Sequence, residues 1–267
     1  MSNLHVVSRG IDWFGELEDD RRFVRALARG LEVLRAFDSM NLLLGNKEIS
    51  ERTGLPPSSV SRLTATLTGL GYLRHHAALN RYEISPSVLA LGYVGVRDLN
   101  VRTVARPLVA ELAEWGKVNV GLGAPDRDTM LYIEAHRGAG NLHHRLDVGS
   151  RIPMARTAMG LAYLAAVSDA RREQLIAKLA QHEPESELRQ RIEQARESIA
   201  TRGFCIASWQ QDIVAAAVPL DSASGDVSYV LNCGGPQFMI QRERLQQEIA
   251  PRLVGVARHI QSLLPQG

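Results

Sequence analysis

The chain has 267 residues, of which 45 % are hydrophobic and 22 % are charged, and its formal net charge is +2. This composition is typical of a soluble globular protein with one large domain or two ordinary ones. No apolar run approaches the ~18 residues that a membrane helix needs, and residues 1–20 lack the apolar core of a secretory signal. The two cysteines cannot make a disulfide framework, which favours a reducing, cytoplasmic location.

The predicted elements begin after residues 1–22, which we interpret as a mobile arm. A helix is predicted from about residue 22 to 37, because apolar side chains recur there at helical spacing and form one buried face: Val24, Leu27, Leu31, Leu34 and Phe37. A helix that ends at Thr53 follows, with Asn46 predicted as its N-cap, and then a helix at 57–70 that begins at a proline, which the first turn tolerates. Its buried stripe is predicted to be Val60, Leu63, Leu67 and Leu70. Short strands at 72–74 and 81–84 complete the order of a winged helix-turn-helix over residues 23–86.

The positive charge is concentrated in the same part of the chain. Residues 21–97 hold eleven Lys or Arg against five Asp or Glu, a net charge of +6, whereas the remainder is −4. A basic segment on a nearly neutral chain is typical of a nucleic-acid-binding domain, although a solvated basic surface gives the same count.

In a helix-turn-helix the second helix enters the major groove of DNA, and its first residues reach the base edges. Short hydroxyl side chains suit close contacts with bases or phosphates, and Arg62 can contact guanine or clamp a phosphate. His75, His76 and Arg81 lie on the predicted wing. The predicted DNA-binding residues are Lys47, Pro57, Ser58, Ser59, Ser61, Arg62, Ala65, His75 and Arg81. An ordinary three-helix packing unit with a hairpin is the alternative.

The chain continues with a linker helix at 87–99 and then a change of composition. Alternating apolar residues predict strands at 118–122, 129–135, 143–146, 215–220 and 227–232. Helices are predicted at 101–115, 157–167, 169–182, 185–201 and 238–264, with a loop at 149–153. Residues 100–267 are therefore predicted to form an α+β domain, an antiparallel sheet with helices on it.

Other kinds of site have weaker support in the sequence. It contains no phosphate-binding loop, dinucleotide fingerprint, zinc-protease motif or nucleophile elbow, and we predict no cofactor and no catalytic residue. His136, His143 and His144 could in principle bind a metal, but adjacent strand residues point to opposite faces, so we predict no metal site. Cys205 and Cys233 would make a redox pair only if they were close in space, and buried free cysteines are commoner.

Three stretches resemble the IclR family of bacterial transcriptional regulators. They are ISERTGLPPSSVSRLTATLTGLGY at 49–72, GSRIPMARTAMGLAYL at 149–164, and RGF, AAAVPL and GGP in that order between 202 and 236. The resemblance covers about residues 23 to 265. It implies an N-terminal winged helix-turn-helix, a linker helix that dimerises, and a C-terminal GAF-like α/β effector-binding domain.

The resemblance also implies that the protein binds double-stranded promoter DNA as a homodimer or a dimer of dimers, and responds to a small organic or aromatic acid. The implied effector pocket has Met154, Thr157, Ala158 and Met159 on one side and Val214, Asn232 and Gly234 on the other. Trp209 either stacks on an aromatic effector or simply covers the pocket. A metal- or redox-responsive regulator, and a small-molecule enzyme with a DNA-binding head, remain alternatives.

Overall fold

The computed structural model describes residues 20–38, 41–97, 100–138, 147–210, 212–220 and 229–264. Residues 1–19 of the predicted arm and the predicted strand at 143–146 lie outside these ranges. The chain divides into two compact units, Met1–Asp98 and Leu99–Gly267. Among the helices within the described ranges, none is long and apolar enough to cross a membrane.

The first unit is a three-helix cluster with a two-stranded wing, as the sequence predicts. Its elements are α1 (Arg25–Arg35), α2 (Asn46–Thr53), α3 (Pro57–Gly69), β1 (Leu73–His76), β2 (Arg81–Ile84) and α4 (Ser87–Arg97). The wing strands pair antiparallel, with Leu73 opposite Ile84. A proline opens α3, and Gly54 ends α2 with a φ of 72°, a conformation that suits glycine. The core of this unit consists of Val33, Ala36, Phe37, Leu44, Ile49, Leu55, Val60, Leu67 and Leu73.

Two of the predicted buried stripes need correction. Val24, Leu27 and Leu31 are 62 %, 63 % and 51 % exposed, because α1 turns its opposite side, at Val33 and Ala36, to the core. Leu70 is also exposed, at 64 %, since α3 ends at the preceding residue. The other two members of the predicted α1 stripe, Leu34 and Phe37, do pack in this core, so helical periodicity identified the apolar positions but not which of them the core covers.

The second unit is built on one six-stranded sheet. Its elements are α5 (Asn100–Gly116), β3 (Asn119–Asp126), β4 (Thr129–His136), β5 (Arg151–Pro153), α6 (Ala158–Ala166), α7 (Asp169–Leu179), α8 (Glu185–Arg202), β6 (Cys205–Gln210), β7 (Ile213–Leu220), β8 (Tyr229–Pro236), α9 (Arg242–Arg244), a π-helical turn (Leu245–Ile249) and α10 (Ala250–Leu263). The strand order is β5-β4-β3-β8-β7-β6, and every neighbouring pair is antiparallel. The predicted α+β class with an antiparallel sheet is confirmed.

The two edge strands were not predicted. The sequence predicts a loop at 149–153, yet Arg151–Pro153 pairs with β4, and it predicts no strand at Cys205–Gln210, which pairs with β7. Both strands lie at the ends of the sheet and are held by hydrogen bonds to one neighbour. Because β5 is only three residues long, it shows no period of its own.

Helices cover both faces of this sheet. Helices α5 and α10 bury one face, where Leu122, Val214, Leu231 and Cys233 belong to one core cluster. Helix α6 packs on the other face, with α8 behind it. Since side chains alternate along a strand, the residues between those core positions face α6. We call this side the α6 face and define it by Gly121, Gly123, Tyr132, Cys205 and Asn232.

Candidate functional site

The start of α3 presents an exposed surface without negative charge. Ser58, Ser61 and Arg62 are exposed together with Pro57 and Ala65, whereas Ser59 is half-buried. The helix contains no Asp or Glu, and no described residue pairs with the Arg62 guanidinium. Exposed hydroxyls and an arginine at a helix start, with no competing acid, attract phosphate.

The orientation of α3 is set by a buried hydroxyl. Thr64 is fully buried, and its Oγ1 lies 3.1 Å from Asn46 Oδ1, at the first residue of α2. The hydroxyl donates to this Asn46 oxygen, and the carbonyls of Val60 at 3.0 Å and Ser61 at 3.2 Å, both within α3, are alternative acceptors for the same proton. The hydrogen bond to Asn46 joins the buried side of α3 to α2, while Ser58, Ser61 and Arg62 remain exposed.

The predicted wing residues divide into exposed and engaged side chains. His75 is exposed and stacks on Tyr82, with ring centroids 4.6 Å apart. Lys47 is exposed and lies 3.9 Å from Glu51, a weak pair. Arg81 instead donates to the carbonyl of Leu43 at 2.9 Å and to Glu48 at 3.1 Å. Arg81 therefore holds β2 against the start of α2, an internal function that the sequence analysis missed.

The predicted ligand residues around α6 are buried at the start of that helix. Thr157 Oγ1 caps α6 by accepting from the N–H of Gly160 at 3.2 Å, and it donates to the carbonyl of Pro153 at 2.7 Å. This cap leaves the N–H groups of Ala158 and Met159 without a partner among the described residues. Met154 and Met159 are fully buried. The start of α6 thus combines free backbone donors with apolar walls.

A tyrosine that the sequence analysis did not select crosses the α6 face. A side chain added at Gly121 would meet the ring of Tyr132 at 2.5 Å, so the ring lies directly over this glycine. Gly121 is paired with Asn232 on β8, and Asn232 Nδ2 donates to Tyr132 Oη at 2.8 Å. Tyr132 therefore reaches over β3 to the second strand along. The only sequence signal for this arrangement is the pair of glycines at 121 and 123, which leaves room for neighbouring side chains.

Three further predicted pocket residues are Val214, Gly234 and Trp209, and the structure places each of them differently. Val214 requires correction, because its side chain belongs to the core cluster with α5 and α10 on the opposite face from Asn232. At Gly234 an added side chain would collide with the Val214 carbonyl and with Ala215, so this glycine permits close strand packing. Trp209 is half-buried on the edge strand β6.

The metal and redox alternatives gain no support from the described residues. No group of three or more His, Cys, Asp or Glu is arranged there for a metal ion, and His143 and His144 lie outside the described ranges. Cys205 faces α6, where its thiol donates to the Ala158 carbonyl at 3.5 Å, whereas Cys233 lies in the core on the opposite face. Burial raises the pKa of both thiols to about 12, so both are protonated and unreactive near neutral pH.

Comparison with known proteins decides the family. The model for the IclR helix-turn-helix domain matches residues 26–77, and the model for the bacterial transcriptional regulator IclR C-terminal domain matches residues 94–262. The chain belongs to the IclR family. It is 32 % identical over 251 residues to the HTH-type transcriptional regulator TsaQ1/TsaQ2 of Comamonas testosteroni, a match that covers 92 % of this chain and 90 % of that protein. This IclR-family chain is therefore a DNA-binding transcriptional regulator, as the resemblance implied.

Solved structures agree with this assignment. An IclR family transcriptional regulator from Brucella abortus is 41 % identical, with a TM-score of 0.78 over 93 % of this chain and 95 % of that one. An IclR homolog from Microbacterium hydrocarbonoxydans, complexed with 4-hydroxybenzoate, has the same fold at 20 % identity, with a TM-score of 0.68 over 89 % of this chain and 98 % of that one.

Proposed function

We propose that this regulator reads promoter DNA with the exposed start of α3, and that a small organic or aromatic acid bound beside α6 alters its affinity for DNA. The observation that supports the DNA-reading surface is the unpaired Arg62 beside Ser58 and Ser61 on a helix that carries no acid. In this proposal Lys47 and His75 contact the DNA phosphate backbone at the edges of the DNA-reading surface. Arg81 supports the wing rather than the DNA, since its described hydrogen bonds are internal.

The proposed effector site lies where the start of α6 meets the α6 face. Free N–H groups at a helix start stabilise a carboxylate, and Met154 and Met159 provide apolar walls for its body. The 4-hydroxybenzoate bound by the Microbacterium homolog supports an aromatic acid as the class of ligand. Trp209 is the residue on β6 that we propose to cover or stack on such a ring.

We further propose that this site senses its ligand and does not transform it. The Cys205 thiol is held protonated by burial, which removes its value as a nucleophile. A DNA-binding sensor of this kind works in the cytoplasm. Neither a cofactor nor a membrane is part of the proposed mechanism, which needs only a difference in effector affinity between two arrangements of the protein.

A homodimer is the proposed binding form. Helix α4 is apolar along its length, yet Leu89, Leu91, Tyr93 and Val94 are each more than 60 % exposed. The stripe Val24, Leu27 and Leu31 on α1 is similarly uncovered. Contiguous exposed apolar surface marks an interaction site, and a two-fold dimer would present two recognition helices to a palindromic operator. A dimer of dimers is the alternative assembly.

The experiment compares binding of the protein to its own promoter region at two salt concentrations, for the wild type, Arg62→Ala and Arg196→Ala. Arg196 is a matched control, because it is an exposed arginine on α8 with a neighbouring acid at 3.5 Å. We expect Arg62→Ala to weaken binding about tenfold and to reduce the salt slope by about one, while the control leaves both unchanged. Equal binding by all three proteins would refute the assignment of α3 as the reading helix.

A thermal-shift screen against organic and aromatic acids tests the effector. A ligand that binds only the folded state raises the melting temperature in a concentration-dependent way. The same ligand must then change DNA affinity, and it must be recovered unaltered after incubation. A ligand that is turned over would favour an enzyme instead.

A further inference from the structure

The hydrogen bond between Tyr132 and Asn232 leaves two polar atoms unmatched. Asn232 is only 8 % exposed, and its Oδ1 has no hydrogen-bond donor within the described part of the chain. Tyr132 Oη accepts from Asn232 Nδ2, and no described group accepts the tyrosine proton. An unmatched donor and an unmatched acceptor thus lie side by side on the α6 face. Buried polar groups normally have partners, so this pair requires explanation.

The unmatched donor and acceptor remain whichever way the Asn232 amide is turned. If oxygen and nitrogen are exchanged, Tyr132 donates to Oδ1, and the unmatched atoms become an amide N–H and a tyrosine lone pair. Either orientation therefore leaves one donor and one acceptor. Burial holds the pKa of Tyr132 well above its usual value, which keeps the hydroxyl proton in place at every physiological pH.

A ligand group that satisfies both atoms must donate one hydrogen bond and accept another. A hydroxyl does this, whereas an ionised carboxylate only accepts and an ether oxygen cannot donate. We infer that Tyr132 and Asn232 are specificity-determining residues that recognise a hydroxyl group on the effector, so that the ligand is a hydroxy-substituted carboxylic acid. The carboxylate of this ligand belongs at the free N–H groups of Ala158 and Met159.

Two glycines of β3 determine where Tyr132 and Met159 lie on the α6 face. The Tyr132 ring lies against Gly121, and the Met159 side chain lies against Gly123. A side chain at Gly121 would overlap the ring, and one at Gly123 would overlap Met159. The inference rests on the proposed effector site and adds the chemical group that the site selects. Discrimination by hydroxyl recognition is strong, because a ligand without the hydroxyl leaves the buried pair unmatched.

The experiment measures binding of benzoate, the three monohydroxybenzoates and the corresponding methoxybenzoates to the full chain by calorimetry. We expect at least one hydroxybenzoate to bind about tenfold or more tightly than benzoate and than its own methoxy analogue. Tyr132→Phe retains the ring over Gly121 and should reduce this preference to near unity, with benzoate affinity little changed. Tyr229→Phe is the matched control, because Tyr229 lies on β8 but packs with the core on the opposite face.

Asn232→Leu is a second variant that should remove the same preference, and its melting temperature reports whether it folds. Equal affinity for benzoate and every hydroxybenzoate, or a preference that survives Tyr132→Phe, would overturn the hydroxyl inference and leave the proposed effector site intact. If no member of the series binds the wild type, the aromatic-acid effector fails, and the hydroxyl inference fails with it.

Discussion

Glu48 joins the start of α2 to the wing through Arg81. One carboxylate oxygen accepts from the Gly45 N–H at 2.7 Å, and the other accepts from Arg81 Nη2 at 3.1 Å. The first bond satisfies a backbone donor at the helix start, and the second ties β2 to that helix. Arg81 completes the link by donating to the Leu43 carbonyl. The wing and the helix-turn-helix are thus stabilised by one acidic side chain.

We expect Glu48→Ala to destabilise the DNA-binding unit by about 1 kcal/mol, the usual cost of losing a helix cap. Arg81→Ala should have a similar effect, and because both variants break the same link, the double variant should cost less than their sum. Hydrogen exchange of the α2 amides measures the change. Lys47→Ala is the control, since its pair with Glu51 is solvent-exposed and contributes little. Strict additivity of the two losses would contradict a shared link.

Arg172 is a buried arginine that stabilises the end of α6. Its guanidinium donates to the carbonyls of Leu164 at 2.7 Å and Val167 at 2.6 Å, and also contacts Asp169. Arg172→Ala leaves these buried carbonyls unmatched, and we expect a loss of about 3 kcal/mol in the free energy of unfolding. Urea denaturation followed by circular dichroism measures it. The adjacent Arg171 is exposed, so Arg171→Ala should change stability by less than about 0.5 kcal/mol.

Gly160 is required because α6 lies close to the backbone of Met154, four residues before the helix begins. An added side chain would overlap the backbone of Met154, which cannot move independently, whereas at Gly123 it would overlap mainly the flexible end of Met159. We therefore expect Gly160→Ala to abolish folding of the second unit or cost more than about 3 kcal/mol, and Gly123→Ala to cost less. Melting temperatures rank the two variants.

Gly255 provides the opposite control for these glycine substitutions. It is exposed on α10, in the same unit as Gly160, with nothing within 4 Å of an added side chain. Gly255→Ala should stabilise the helix by up to about 1 kcal/mol. A Gly160→Ala protein as stable as Gly255→Ala would refute the packing of α6 against Met154.

The two buried thiols make stability fall at alkaline pH. Their pKa is about 12 in the folded protein, against 9.0 for an unperturbed thiol. The thiols lose their protons more easily in the unfolded chain than in the folded protein. Their contribution to the free energy of unfolding is therefore complete below pH 9 and is lost as the pH rises toward 12. We expect a loss of about 1 kcal/mol per thiol near pH ~10. Urea midpoints at rising pH measure this loss for the wild type and for the double variant Cys205→Ala/Cys233→Ala, in which the decline should be smaller. An identical decline in both proteins would contradict burial of the thiols.

The sequence by itself determined the elements whose signals are local. Pro57 and Gly54 marked the start of α3 and the end of α2, whereas the N-cap of α2 is Gly45 and not the predicted Asn46. The four central strands β3, β4, β7 and β8 were also predicted, because each has enough alternating or continuous apolar residues to show a period. The exposed serines and Arg62 followed from the buried stripe of α3.

Only the tertiary structure decided how residues far apart in the chain are combined. The exposure of Leu27, the internal bonds of Arg81, and the side of the sheet that Val214 faces all depend on packing between elements. Tyr132 and Asn232 are 100 residues apart and meet because β8 pairs with β3 across a glycine. Local patterns report which surface of an element is apolar, but strand order and register determine what that surface meets, and these are set by the whole chain at once.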